Sequence, residues 1–279
     1  MQTKRIVLLG AGNVAHHLAA ALLKSDLNLC QIYSRSIESA RELGMKTGIA
    51  YTADPNVVYP DADIYIFCVS DDALVPVYKS IRIHNGALLL HTSGSLPLGI
   101  FDSCPGAAGV LYPLQTFSKK RELDFSEIPL CIEASNAKTL KLVQELAEAL
   151  SHRVIEVDSE RRKILHLSAV FACNFVNHLY RIAGDLLEQN GLDFALLRPL
   201  IFETAHKVML LSPEEAQTGP ARRGDDKILN MHKSLLKKDK KWAELYALLS
   251  DLIKEGAPKP EIKEGPLENG EHPLMLTLW

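Results

Sequence analysis

The stretch that most constrains this chain is 4–23, KRIVLLGAGNVAHHLAAALL. Ile6, Val7, Leu8 and Leu9 are consecutive, apolar and partly β-branched, the pattern of a strand buried on both faces. Gly10-Ala11-Gly12-Asn13-Val14-Ala15 follows at once, and Leu18, Ala19, Leu22 and Leu23 then recur at helical spacing. Strand, glycine turn and helix in that order form the context of a dinucleotide-binding fingerprint. Gly10 permits the tight turn, Gly12 lets the backbone approach a pyrophosphate, and Ala15 is small enough for close helix–strand packing. The free N–H groups of the helix start, at Asn13 and Val14, then face the phosphates. The alternative is a strand–helix turn that binds nothing.

Composition narrows the class. At 279 residues the chain suits one large domain or two modest ones. A net charge of -3 gives no electrostatic case for nucleic acid or an anionic membrane. No apolar run approaches the ~20 residues of a membrane span, and the N-terminus enters a strand without a signal peptide, so a cytoplasmic protein is expected. The five cysteines are odd in number and dispersed, which favours free, buried thiols in a reducing compartment. No Cys/His cluster has metal-ligand spacing, and adjacent His16 and His17 would project about 100° apart on a helix. No metal is expected.

Taken in order, Leu29 to Tyr33 reads as a second strand, ending at Ser34-Arg35-Ser36. An acid here would bind the ribose hydroxyls of NAD, whereas Arg35 with flanking hydroxyls suits the 2′-phosphate of NADP. A solvated arginine opening the next helix is the alternative. That helix is expected from Ser36 to Leu43, with Gly44 as its C-cap. Residues 63–69 form another buried strand, whose end brings Val69 and Ser70 toward a cofactor; Ser70-Asp71-Asp72 caps a helix to about Arg82. Ala87 to Leu90 is a strand whose end carries His91, Thr92 and Ser93, near the reactive end of a bound cofactor. Strands at 107–112, 129–133 and 153–157 and a helix at 138–150 complete an α/β domain over 1–157, a doubly wound, mainly parallel sheet. From 158 to 254 the pattern is helical. One helix of about 45 Å is expected from Ser159 to Gln189, stopped by Asn190-Gly191. Others follow at 194–211 with Pro199 perturbing it, 226–236 and 240–254. Residues 255–279 are a tail dense in Gly and Pro, mobile or an arm on a partner. The long helix and the apolar helices after it predict a homodimer joined through the helical domains.

Four motifs in order, HTSGS (His91 to Ser95), YPLQTF (Tyr112 to Phe117), HLSAVFACNF (His166 to Phe175) and TGPARRGD (Thr218 to Asp225), resemble the Rossmann-like family with a DUF2520 domain. That family is similar to the coenzyme F420-dependent NADP oxidoreductases, and the resemblance spans about 4 to 254. It implies NADP as cofactor and a Rossmann domain followed by a helical domain of the 6-phosphogluconate dehydrogenase type, as in pyrroline-5-carboxylate reductase, ketopantoate reductase and the β-hydroxyacid dehydrogenases. The last two groups carry a Lys and an Asn four residues apart on the long helix. Asn174 fits the Asn position here, but Val170 stands where the Lys would be. His166, Val170 and Asn174 share one helix face, so His166 becomes the acid–base candidate with Asn174. A hydrogen-bonded structural His and Asn is the alternative. His91 is a third catalytic candidate, and Ser93 a substrate contact. Arg223, in a glycine-flanked basic loop before a helix capped by Asp225, is the candidate clamp for a substrate carboxylate or phosphate. The expected function is NADP-dependent reduction of a small, anionic carbonyl or imine, in a cleft between the two domains. A deazaflavin-linked oxidoreductase and a non-catalytic NADP-binding sensor or scaffold are the competing readings.

Overall fold

The computed structural model describes residues 1, 3–102 and 106–256. The first part of the chain runs β1 (Ile6–Leu9), α1 (Asn13–Lys24), β2 (Leu29–Tyr33), α2 (Ile37–Thr47), β3 (Tyr51–Thr52), β4 (Ile64–Phe67), α3 (Asp71–Ser80), β5 (Leu88–His91), β6 (Ala107–Pro113), β7 (Leu130–Ala134), α4 (Ala137–Glu148) and β8 (Val154–Glu156). The eight strands form one sheet in the order β3-β2-β1-β4-β5-β6-β7-β8. Every neighbouring pair is parallel except β6 and β7. The winding reverses between β1 and β4, and such a switch point opens a crevice at the strands' carboxyl ends.

Both faces of the sheet are covered. Ile6 and Leu8 pack with Leu18 and Leu22 of α1, Leu43 of α2 and Val143 of α4. Val7 and Leu9, pointing the other way, pack with Leu74 and Val77 of α3 and with Phe101. All four β1 side chains are fully buried, each worth about 1.5–3 kcal/mol relative to exposure. The apolar run is thus a two-sided central strand.

The helix after β2 runs longer than expected. Ser36 is its N-cap, accepting from Ser39 N at 3.1 Å, but it continues through Gly44 and ends at Gly48, where φ is +74°. Gly44 faces β3 instead, because a Cβ there would lie 2.2 Å from a ring carbon of Tyr51. With two residues, β3 is too short to carry a periodic signal.

Beyond β8 lie α5 (Ser159–Ala169), a π-helical turn (Val170–Phe175) and α6 (Val176–Glu188). The expected single helix therefore contains one wide turn, and Gly191 follows its end with φ +69°. The chain divides into two compact units, 1–178 and 179 onward. The sheet stops at Glu156, and α5 and the π turn belong to the first unit.

In the second unit a 3₁₀ turn (Phe194–Leu197) leads into α7 (Arg198–Leu210), with Pro199 in its first turn, where the missing N–H costs nothing. Two short helices follow, α8 (Pro213–Ala216) and α9 (Pro220–Arg223), then α10 (Asp226–Leu235) and α11 (Lys240–Glu255). Asp225 caps α10 by accepting from Ile228 N at 3.2 Å. Ala221, Leu229 and Leu236 are buried where α9, α10 and α11 meet. The expected tail beyond Gly256, and Cys104, lie outside the described residues. Cys30, Cys68, Cys131 and Cys173 are free thiols, of which Cys173 is exposed. Among the described residues, no helix is long and apolar enough to cross a membrane and no side-chain cluster could hold a metal ion.

Candidate active site

At the end of β1, Gly10 has φ +120°, and its N–H donates to Tyr33 O at 2.7 Å. A Cβ at Gly10 would lie 2.3 Å from the carbonyl oxygen of Cys68, so no other residue fits between β1 and β4. Gly12, the N-cap of α1, has nothing within 4 Å of where its Cβ would stand, which leaves the turn open on that side. The opening is a cleft of about 330 Å³. Gly10 and Gly12 line it with Ser34 and Arg35 from the end of β2 and Val69 and Ser70 from the end of β4. Ser39 and Lys119 line it too, and neither was expected.

Other cofactor candidates sit nearby with different tasks. Asn13 and Val14 form the first turn of α1 without lining the cleft. The Ser36 hydroxyl is occupied in capping α2 and donates to Glu38 at 2.7 Å. Thr92 Oγ1 donates to Phe67 O at 3.2 Å, and Ser93 Oγ accepts from Ser95 N at 3.1 Å and Leu96 N at 3.0 Å. These two hydroxyls shape the turn after β5.

A second constellation gathers three of the sequence motifs. His166 Nδ1 on α5 lies 3.0 Å from Tyr112 Oη, at the end of β6. The imidazole also covers Gly94, where a Cβ would fall 2.7 Å from the ring. Burial pushes the Tyr112 phenol up to about 12. One turn before His166, the fully buried Arg162 bonds to Glu133 of β7 and donates to Leu96 O at 2.6 Å. Ser159 Oγ donates to Glu133 at 2.9 Å and accepts from Leu98 N at 2.9 Å. The start of α5 is thereby clamped to β7 and to the loop after β5.

His91 is wholly enclosed beside Phe101, and its Nδ1 accepts from Ser93 N at 3.2 Å. Burial first, and then the charge of Arg162, lower its pKa to about 4, so it is neutral at physiological pH. Asn174 sits exposed in the π turn and Val170 half-buried at its start. Arg223, exposed, closes α9 in the second unit. Sequence reading missed Tyr112, Glu133, Arg162 and Lys119 as site residues. Arg162 lies in a polar stretch, SERRK, that reads as solvated surface, and only packing shows which charge is enclosed.

Residues 5–93 match the model of the family described as NADP oxidoreductase coenzyme F420-dependent, and residues 128–253 match the domain of unknown function DUF2520. A crystal structure from Bacteroides fragilis, named a putative NADP oxidoreductase, is 45% identical, over 91% of this chain and 99% of its own, with a TM-score of 0.88. The chain belongs to this NADP oxidoreductase family. An imine reductase from Myxococcus stipitatus in complex with NADP+ is 14% identical, over 90% of this chain and 95% of its own, with a TM-score of 0.63. A 1-pyrroline-5-carboxylate reductase from Streptococcus pyogenes is 12% identical, over 91% of this chain and all 100% of its own, with a TM-score of 0.60. The last two share the fold. No protein of curated function matches the sequence.

This NADP oxidoreductase has a cleft that fits its cofactor. The glycine turn leaves no side chain between backbone and ligand, and the end of β2 presents Ser34 and Arg35 in place of an acid.

Proposed function

We propose that the protein reduces a small, anionic carbonyl or imine with NADPH, and that the His166–Tyr112 pair handles the proton. The observation that carries this reading is the 3.0 Å contact between Tyr112 Oη and His166 Nδ1, beside the glycine of the HTSGS turn. NADPH, when bound, supplies the hydride. Burial keeps the Tyr112 phenol protonated, and its oxygen can accept from the Nδ1–H of His166. In this reading the proton comes from the imidazolium: its Nε2–H meets the substrate oxygen or nitrogen, its Nδ1–H donates to Tyr112 Oη, and a neutral imidazole is left after the transfer. Arg162 and Glu133 hold α5, and His91 holds the turn at Ser93; these are positioning residues. Asn174 stays in the reading as the catalytic partner of His166, Ser93 as a substrate contact, and Arg223 as the cation for the substrate's anionic group.

The test is NADPH oxidation, followed by absorbance, with a panel of 2-oxo acids and of cyclic imines that bear a carboxylate. His166→Ala is expected to lower kcat about 10²–10⁴-fold, the range of general acid catalysis. Tyr112→Phe should lose less, and Arg223→Ala should raise KM. Unchanged turnover in His166→Ala would overturn the proton assignment. Equal rates for carboxylate-free analogues would overturn the anionic substrate.

A further inference from the structure

The loop 114–124, between β6 and β7, brings a second cation to the dinucleotide cleft. It is pinned to the first two helices at successive residues. The His17 ring packs on Phe117 with centroids 5.1 Å apart, and His17 Nε2 lies 3.0 Å from Ser118 O. Lys119 Nζ then donates to Glu42 Oε2 of α2 at 2.8 Å. This places Lys119 in the lining of the cleft together with Ser34, Arg35 and Ser39. The four residues come from three places in the chain and supply two cations and two hydroxyls.

A phosphate monoester carries a charge of about −1.5 to −2 at neutral pH, more than Arg35 alone can offset. Lys119 is available to share the task. Its ammonium has three donors and no fixed plane, so it can keep Glu42 while donating to a phosphate. The pair is open to solvent on one side, with Lys119 half-buried at 29% and Glu42 exposed at 55%, and solvent-accessible ion pairs are weak enough to exchange partners. The third possible claimant, His16 Nε2, stands 3.9 Å from Glu42 Oε1, beyond hydrogen-bond reach.

We propose that Lys119 is a second 2′-phosphate-binding residue, held ready by Glu42, and that it helps the protein discriminate NADPH from NADH. The proposal rests on the adenosine end of the cofactor lying at Ser34 and Arg35. Glu42 acts through Lys119 and is a positioning residue.

Calorimetry on the full chain tests it, with NADPH, NADH and 2′,5′-ADP as titrants. Lys119→Ala and Lys119→Gln are expected to raise the dissociation constants of NADPH and 2′,5′-ADP about tenfold or more, the scale of one charge-assisted hydrogen bond. NADH affinity should stay within about twofold. Lys119→Arg should restore most of the NADPH affinity. An equal loss for NADPH and NADH would make the loop merely structural, and no loss for either would leave Lys119 without a ligand; both overturn the proposal. Arg35→Ala separates the two levels. If it weakens NADPH while Lys119→Ala does not, only the Lys119 assignment fails. If neither weakens NADPH, the placement of the adenosine end fails as well.

Discussion

The sequence offers both His91 and His166 as catalytic candidates, and their surroundings separate them. His166 keeps part of its surface and a phenol partner, whereas His91 is enclosed with a pKa of about 4. A histidine whose folded pKa lies below its unfolded value of about 6.5 leaves a pH signature. Between pH 6.5 and 4 the unfolded chain takes up a proton that the native state refuses, so stability rises with pH across that window. The contribution is complete above about pH 6.5 and is lost toward pH 4, by on the order of 3 kcal/mol. His91→Asn can still accept from Ser93 N but cannot titrate. Urea unfolding at a series of pH values should show a shallower acid loss for this variant than for the native protein. The pKa of His16 is also lowered, mainly by burial, so some acid sensitivity should remain. Equal slopes would mean that His91 titrates normally.

At the scale of elements, α5 is decisive. Its N-terminal turn carries Arg162, which burial and Glu133 fix in place, and His166 follows four residues later on the same face. Truncating one partner of a buried pair costs about 3–5 kcal/mol, because the other charge is left uncompensated. Arg162→Ala should therefore lower the unfolding midpoint strongly. It should also reduce kcat by loosening α5, while NADPH affinity, set at Ser34 and Arg35 in the proposed placement, stays unchanged. Removing both charges together, Arg162→Met with Glu133→Leu, should recover part of the lost stability. A double-mutant cycle with no coupling would show that the pair does not hold the helix. The π turn that follows is a feature for which ideal helical spacing makes no allowance. Such turns are rare and cluster at functional sites, and this one carries Asn174.

At the scale of the whole molecule, the exposed apolar surface sets the prediction. The α6 and α7 helices have no buried residue, although they carry Leu179, Leu200, Phe202, Met209 and Leu210. Phe171 and Phe175 of the π turn are 62% and 49% exposed. Monomers rarely leave so much apolar surface to water, and a second copy is the partner always present. Light scattering at micromolar concentration should give about twice the chain mass of 30.9 kDa. A charge introduced by Phe202→Glu should shift the population toward monomer. A native protein that scatters as a monomer would refute the homodimer.

Local pattern determined much of this protein. The two-sided burial of Ile6 to Leu9, the Gly10 turn, the Ser34-Arg35 strand end, the Asp225 cap and the order of strands before helices are short-range matters of periodicity and backbone sterics, legible from neighbours in the chain. Tertiary structure decided what depends on distant partners. Gly44 became an interior helix residue because Tyr51 packs on it. Arg162 became buried because Glu133 and Leu96 O waited for it, and Lys119 reached the cleft because Glu42, 77 residues earlier, holds it there. A charged side chain has the same local signature whether solvated or enclosed. Its fate turns on which opposite charge the fold brings within reach, and sequence spacing does not encode that.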